Sequence, residues 1–118
     1  MIILKYQKTK YHNQKTKVNN IEFDSKKEAN RFNELKLLEK AGLIKELEIQ
    51  KKFELQPKYI NNNGEHIRAI TYIADFFYYD CKEGIYIVED TKGFKTDVYI
   101  LKKKLFEYVY PNLTIKEL

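Results

Sequence analysis

Four residues carry the chemistry that this sequence offers: Asp75 and the triplet Asp90-Thr91-Lys92. The run Ile70–Phe77 reads as a strand, and so does Ile85–Gly93, with the turn-forming cluster Asp80-Cys81-Lys82-Glu83-Gly84 between them. A loop of two or four residues pairs Asp75 with Asp90 across that hairpin. Like charges directly opposite on one sheet face are destabilising unless something binds them, and the Cβ atoms of such a pair lie roughly 5 Å apart. Two carboxylates at that spacing suit one divalent cation. Lys92, two residues beyond Asp90, falls on the same face. Two acids and an ammonium group at one end of a sheet are the ingredients of metal-assisted phosphodiester hydrolysis.

Parity assigns the neighbours. Ile73, Asp75, Phe77 and Tyr79 point to one side of their strand, and Tyr86, Val88, Asp90 and Lys92 to the same side of the next. Phe77, Tyr79, Tyr86 and Val88 then form an apolar patch, with the polar trio at its far end. Glu89 has the opposite parity and faces away, so Asp90 rather than Glu89 is the expected second ligand. In this scheme Asp75 and Asp90 bind Mg²⁺ (or Mn²⁺), and the backbone carbonyl of Thr91 adds a ligand. Lys92 positions the attacking water or stabilises charge on the pentavalent transition state. Glu28 has two roles open to it. It closes a capping box with Ser25, or it serves as a third acid that binds a second ion or a metal-bound water. For Asp75 and Asp90 the plain alternative is a pair of strand-end acids reaching into solvent.

The elements that must position these groups follow from local signals. Ser25 with Glu28, then Phe32, Leu35 and Leu38 at helical spacing, and Gly42 as C-terminal cap, predict a helix over Ser25–Ala41. Alternating Leu47, Ile49, Phe53 and Leu55 predict a strand over Ile44–Ile60, limited by Pro57. The turn Asn61-Asn62-Asn63-Gly64 leads into a strand over Glu65–Tyr79, and the Cys81 turn into Ile85–Gly93. Thr96 or Asp97 caps a second helix whose apolar stripe is Val98, Leu101, Leu105 and Tyr108. Pro111 and Asn112 end it, and Leu113–Leu118 is a short last strand reached by a right-handed crossover. The order is αβββαβ: an α/β fold with one mixed sheet, a three-stranded antiparallel meander plus a parallel neighbour, flanked by helices. Val18-Asn19-Asn20-Ile21 suits a small hairpin ahead of it.

Composition narrows the class. A chain of 118 residues, 43% hydrophobic and 33% charged, fits one soluble domain. No apolar run approaches the ~20 residues of a membrane span, and Met1-Ile2-Ile3-Leu4 is broken at once by Lys5, too soon for a signal peptide. The expected location is the cytoplasm, with no membrane partner. The single cysteine, Cys81, excludes an internal disulfide, and His12 and His66 lack any triad or zinc context. Lysines 5, 8, 10, 15 and 17 equal the whole net charge of +5, with no acid among the first nineteen residues. Residues 1–20 therefore read as a basic arm and 21–118 as a single domain. Lys8, Lys10, Lys15 and Lys17 suit nucleic-acid phosphates, or a solvated tail. Lys95 and one or two of Lys102, Lys103 and Lys104 are further phosphate contacts or a solubilising face.

With these residues in place the chain resembles the PD-(D/E)xK nuclease superfamily, whose core is αβββαβ. Asp75 matches its first acid, Asp90-Thr91-Lys92 its triplet, and Glu28 its helix acid. Asp replaces the commoner Glu in the triplet, and no proline precedes Asp75. From about Lys10 onward the chain is similar to small phage-encoded proteins of endonuclease-like or Holliday-junction-resolvase-like description. The segments that carry this are Phe23–Ala29, Ile70–Phe76, Val88–Phe94 and Leu101–Phe106. The resemblance implies a phage context, a DNA substrate that is branched or double-stranded, and a Mg²⁺-dependent endonuclease. A two-fold dimer would suit paired cuts on a four-way junction. The rival expectations are a catalytically silent nuclease-fold module that binds structured DNA or a partner protein, and a purely structural phage protein.

Overall fold

The first helix, α1, begins where Ser25 turns its hydroxyl back to accept the Glu28 N–H at 3.1 Å, and it spans Lys26–Lys40. It ends in a Schellman motif: Gly42 adopts φ 78°, and the N–H groups of Gly42 and Leu43 reach back to Glu39 and Leu38. The computed structural model that shows this describes residues 16–18, 21–91 and 94–118. Ahead of α1, β1 (Thr16–Val18) and β2 (Ile21–Phe23) form the expected small hairpin, with Val18 opposite Ile21. Thr16–Val18 thus extends folded structure into the segment read as an arm, and Val18 packs on the core beneath α1.

The sheet has four strands in the order β3-β6-β7-β8, formed by Ile44–Gln56, Ile70–Asp80, Ile85–Asp90 and Ile115–Glu117. The first three pair antiparallel, and β8 lies parallel to β7. That parallel pair is joined through α2 (Asp97–Val109) as one crossover. The expected mixed sheet with flanking helices is therefore what the chain builds. The long strands expected over Ile44–Ile60 and Glu65–Tyr79 are each divided. Pro57 cannot donate to a ladder, and beyond it β4 (Tyr59–Ile60) pairs with β5 (His66–Ile67) as a separate hairpin.

The β6–β7 turn fixes the register on which the site depends. Asp80 Oδ1 accepts from the N–H groups of Lys82 and Glu83, and Gly84 closes the four-residue loop at φ 71°. Phe77 then faces Val88 and Phe76 faces Glu89, the register expected from the sequence. The expected apolar patch forms as well: Phe77 stacks on Tyr86 at 5.2 Å, and Tyr79 meets Tyr86 edge-on at 5.0 Å.

Two buried clusters hold the layers together. Phe23, Phe32, Leu35, Ile49, Phe76 and Tyr78 gather with α1; Phe53, Tyr72, Val88, Tyr99, Phe106 and Ile115 gather with α2. The α2 face corrects the expected stripe. Val98, Leu101 and Tyr108 are 62%, 58% and 83% exposed, whereas Tyr99 and Phe106 are buried. Leu105 alone of the stripe packs partly against the core. The helix is apolar on two adjoining faces, so periodicity offers two phases. The larger aromatic surface prevails, because Phe106 meets Phe53 at 5.0 Å and Tyr72 at 5.4 Å, edge-to-face.

Candidate functional site

One polar row crosses the sheet. The pairs Ile49–Phe76 and Lys51–Ala74 put Gln50 level with Asp75. The pair Phe76–Glu89 puts Asp90 at that level on β7, and Asp90 itself faces Glu117 on β8. Gln50, Asp75 and Asp90 are 8%, 6% and 1% exposed, so the strand-end acids do not reach into solvent. Each acid has a fixed orientation. Asp75 Oδ2 accepts from both the backbone N–H and the hydroxyl of Thr91, each at 2.8 Å. Asp90 Oδ2 accepts from the Tyr72 hydroxyl at 2.6 Å.

Parity does not run unbroken through this row. Ile49 and Phe76 lie in the α1 cluster, yet Phe53 and Tyr72, of the same parity and in the same register, lie in the α2 cluster. The alternation of faces therefore slips by one residue on both strands. Gln50 and Asp75 occupy that slip, and Gln50 sits at φ 53°, a left-handed value unusual for a side-chain-bearing residue. The expectation that Asp75 shares a face with both Ile73 and Phe77 assumed strict alternation, which β6 does not keep.

Glu28, on the first turn of α1, is 3% exposed, and its Oε2 accepts from Gln50 Nε2 at 2.6 Å. Its backbone N–H completes the Ser25 cap, while its carboxylate faces Gln50 on the sheet, so the residue serves the cap and the polar row together. Gln50 Oε1 is buried without a hydrogen-bond partner among the described residues. A carboxylate accepts only, so the amide must turn its NH₂ to Glu28 and its oxygen the other way. Among the described residues, no three His, Cys, Asp or Glu side chains gather as a metal-holding group.

The surrounding hydroxyls and charges are tuned by the row. Burial, and after it the Asp90 charge, pushes the Tyr72 hydroxyl above its ordinary range. Burial also raises Tyr99, helped by its 2.7 Å bond to Glu117 and by the charges of Asp90 and Asp75. The Tyr99 bond, followed by Lys95 at 3.0 Å, holds Glu117 below the usual carboxylate range. Leu118 N–H donates to the Asp90 carbonyl at 3.0 Å, which ties the β8 end to the same point.

Glu89 faces away, as its parity requires. It is fully buried, and Arg31 of α1 grips it bidentately, Nε to Oε1 at 2.8 Å and Nη2 to Oε2 at 2.6 Å, with the Tyr78 hydroxyl also donating. Arg31 lies one turn past Glu28, and Glu89 directly precedes Asp90. The pair therefore clamps the helix that carries one candidate residue to the strand that carries another.

The predicted phosphate-binding lysines are placed unevenly. Lys17 is exposed and lies opposite Glu22. Lys95 binds Glu117, and Lys103 binds Glu107 at 3.5 Å, with Lys102 half-buried beside it. Lys8, Lys10, Lys15 and Lys92 lie outside the described residues. Sequence reasoning missed Gln50, Tyr72 and Thr91 as groups that orient the acids. The β3 spacing of three between Ile44 and Leu47 hinted at irregularity in that strand, but nothing marked position 50.

Among the described residues, no helix is long and apolar enough to cross a membrane. Neither curated proteins nor solved structures provide a match to the chain. A family model matches residues 8–117, nearly the whole length, and the chain belongs to that family, described as a protein of unknown function, DUF1064.

Proposed function

We propose that this protein is a divalent-cation-dependent DNA endonuclease of the PD-(D/E)xK type, acting on branched or recombination DNA in a phage-infected cell. The observation that carries the reading is the burial of Asp75 and Asp90 at one level of adjacent strands, each carboxylate oriented by its own hydrogen-bond donors. Burying two carboxylates at one level of adjacent strands calls for positive charge and hydrogen-bond donors around them, a setting that suits a cation. The donor set fits Mg²⁺ or Mn²⁺. It consists of oxygen atoms, as a hard cation prefers, and an unpartnered buried amide oxygen lies in the same row.

Asp75 and Asp90 would hold the ion, with the Thr91 carbonyl as a further ligand. The bound ion would supply Lewis-acid stabilisation of the phosphate and a more acidic water. Thr91 and Tyr72 keep the two carboxylates in place, as outer partners of ligating groups do. Lys92 contributes an ammonium for the charge that develops on the phosphate. Glu28, bonded to Gln50 of the same row, would serve a metal-bound water or a second ion.

Purified protein is incubated with Mg²⁺ or Mn²⁺ and plasmid, linear duplex, flap and four-way-junction DNA, beside Asp75→Asn, Asp90→Asn and Lys92→Ala. Cutting by wild type and loss in all three variants is the expected result. A wild type that binds junctions yet leaves every substrate intact in both metals overturns the reading in favour of a silent binding module. That second reading draws on one observation: Asp75 and Glu28 already accept internal hydrogen bonds, as acids with a structural role also do.

A further inference from the structure

We propose that Gln50 is part of the cation site, its side-chain oxygen accepting a hydrogen bond from the water shell of a divalent ion held at Asp75. The inference rests on the metal-dependent reading above and adds a residue that the acid pattern does not contain. Three observations converge on position 50. Gln50 lies level with Asp75 on the neighbouring strand. Its NH₂ is committed to Glu28 at 2.6 Å, which directs the oxygen away from that carboxylate. That oxygen is buried and has no partner among the described residues, in a side chain more than nine-tenths buried.

Buried polar atoms in native proteins are almost always satisfied, and an exception calls for a water, an ion or a functional role. An apolar ligand would leave the atom as it is, and an anion would be repelled by the flanking acids. A hydrated cation supplies what the oxygen lacks, because waters on a divalent ion are strong donors. Mg²⁺ keeps several of its waters when protein carboxylates bind it. Glu28 and Gln50 would then share that shell, one through its carboxylate and the other through its amide. This also gives Glu28 a place in the chemistry without joining Asp75 and Asp90 on the ion itself.

The test reads cation binding rather than cleavage. Mn²⁺ affinity is measured by titration calorimetry on wild type, Gln50→Met, Gln50→Glu and Asp75→Asn, each checked for folding by its thermal transition. Gln50→Met, which keeps the shape and removes the oxygen, is expected to weaken Mn²⁺ binding about tenfold or more. Gln50→Glu restores an acceptor and is expected to bind at least as well as wild type. Equal weakening in both variants overturns the proposal, because it assigns Gln50 only the task of orienting Glu28. Unchanged affinity in Gln50→Met overturns it as well. Should either variant fail to fold, the wild-type side-chain amide resonances of Gln50 decide: they must shift with Mg²⁺ and broaden with Mn²⁺. Wild type that binds no Mn²⁺ at all sinks the metal reading itself. Binding lost in Asp75→Asn but kept in Gln50→Met sinks only the role of Gln50.

Discussion

Removing the Arg31 guanidinium should expose how much of this fold depends on one buried ion pair. Glu89 is wholly inaccessible, and Arg31 holds it through two parallel N–H···O contacts at 2.8 and 2.6 Å. Arg31→Met keeps most of the side-chain stem and leaves the carboxylate buried with the Tyr78 hydroxyl as its remaining donor from this network. Breaking a buried pair from one side costs about 3–5 kcal/mol. Arg31 retains 21% of its side-chain exposure, so water can enter where the guanidinium was, and the lower end, about 3 kcal/mol, is expected. A domain of this kind has about 5–15 kcal/mol in total, so the loss is severe.

The assay is urea unfolding of wild type, Arg31→Met, Glu89→Gln and the double variant. With a slope of about 1–3 kcal/mol per molar urea, the Arg31→Met midpoint should fall by roughly 1–3 M. Glu89→Gln should cost less, because Arg31 still reaches Glu34 at 2.9 Å and solvent. The double variant should recover part of the loss, giving a coupling energy of about 2 kcal/mol or more. Moderate salt should leave the coupling nearly unchanged, unlike that of the exposed Arg31–Glu34 contact. A cost under about 1 kcal/mol for Arg31→Met, or strict additivity, refutes the reasoning, because those are the values of a surface pair.

Three further perturbations test other parts of the structure. Tyr72→Phe removes a hydroxyl donated to buried Asp90 and should lower stability by about 1.5–3 kcal/mol in chemical denaturation; a neutral result would mean that Asp90 is satisfied without it. Phe106→Ala should cost about 3–5 kcal/mol and Leu101→Ala under about 0.5, and comparable losses would show that α2 is phased on its other face. Burial holds the hydroxyls of Tyr72, Tyr78 and Tyr99 above their ordinary range, so the folded chain keeps protons that the unfolded chain releases above about pH 10. Stability should therefore be complete below that pH and fall as pH rises above it, read from urea midpoints and the tyrosinate absorbance band; a flat profile counts against this burial.

The parts of the fold that follow from short-range chemistry were legible in the sequence. Ser25, Gly42, Asp80 and Gly84 each act within a few residues of themselves, so caps, turn and hairpin register could be read directly. The phase of α2 could not, because Val98, Leu101 and Tyr108 compete with Tyr99 and Phe106 on local terms. Contact with Phe53 and Tyr72, more than forty and twenty residues earlier, decides between them. Level placement of Asp75 and Asp90 was readable from the register. The partners that orient them were not, since Tyr72 and Thr91 look like ordinary strand residues until the faces slip.

That slip has a physical signature that separates Gln50 from the other strained position in β3. Glu46 also has a positive φ, 59°, but it lies inside a register shift between Lys45 and Glu48, so an extra residue in the strand accounts for it. Around Gln50 the count is equal on both strands, from Ile49–Phe76 to Lys51–Ala74, so Gln50 and Asp75 leave the alternation together rather than through an extra residue in β3 alone. A left-handed residue with a side chain costs on the order of 1–3 kcal/mol, and an unsatisfied buried acceptor about another 1–3. One hydrogen bond to a carboxylate returns only about 1.5–3 kcal/mol. The bond to Glu28 therefore offsets only part of what position 50 costs. Where a local rule fails and the fold returns only part of the cost, function is the usual reason, and here the failure coincides with Asp75, the first acid of the candidate site.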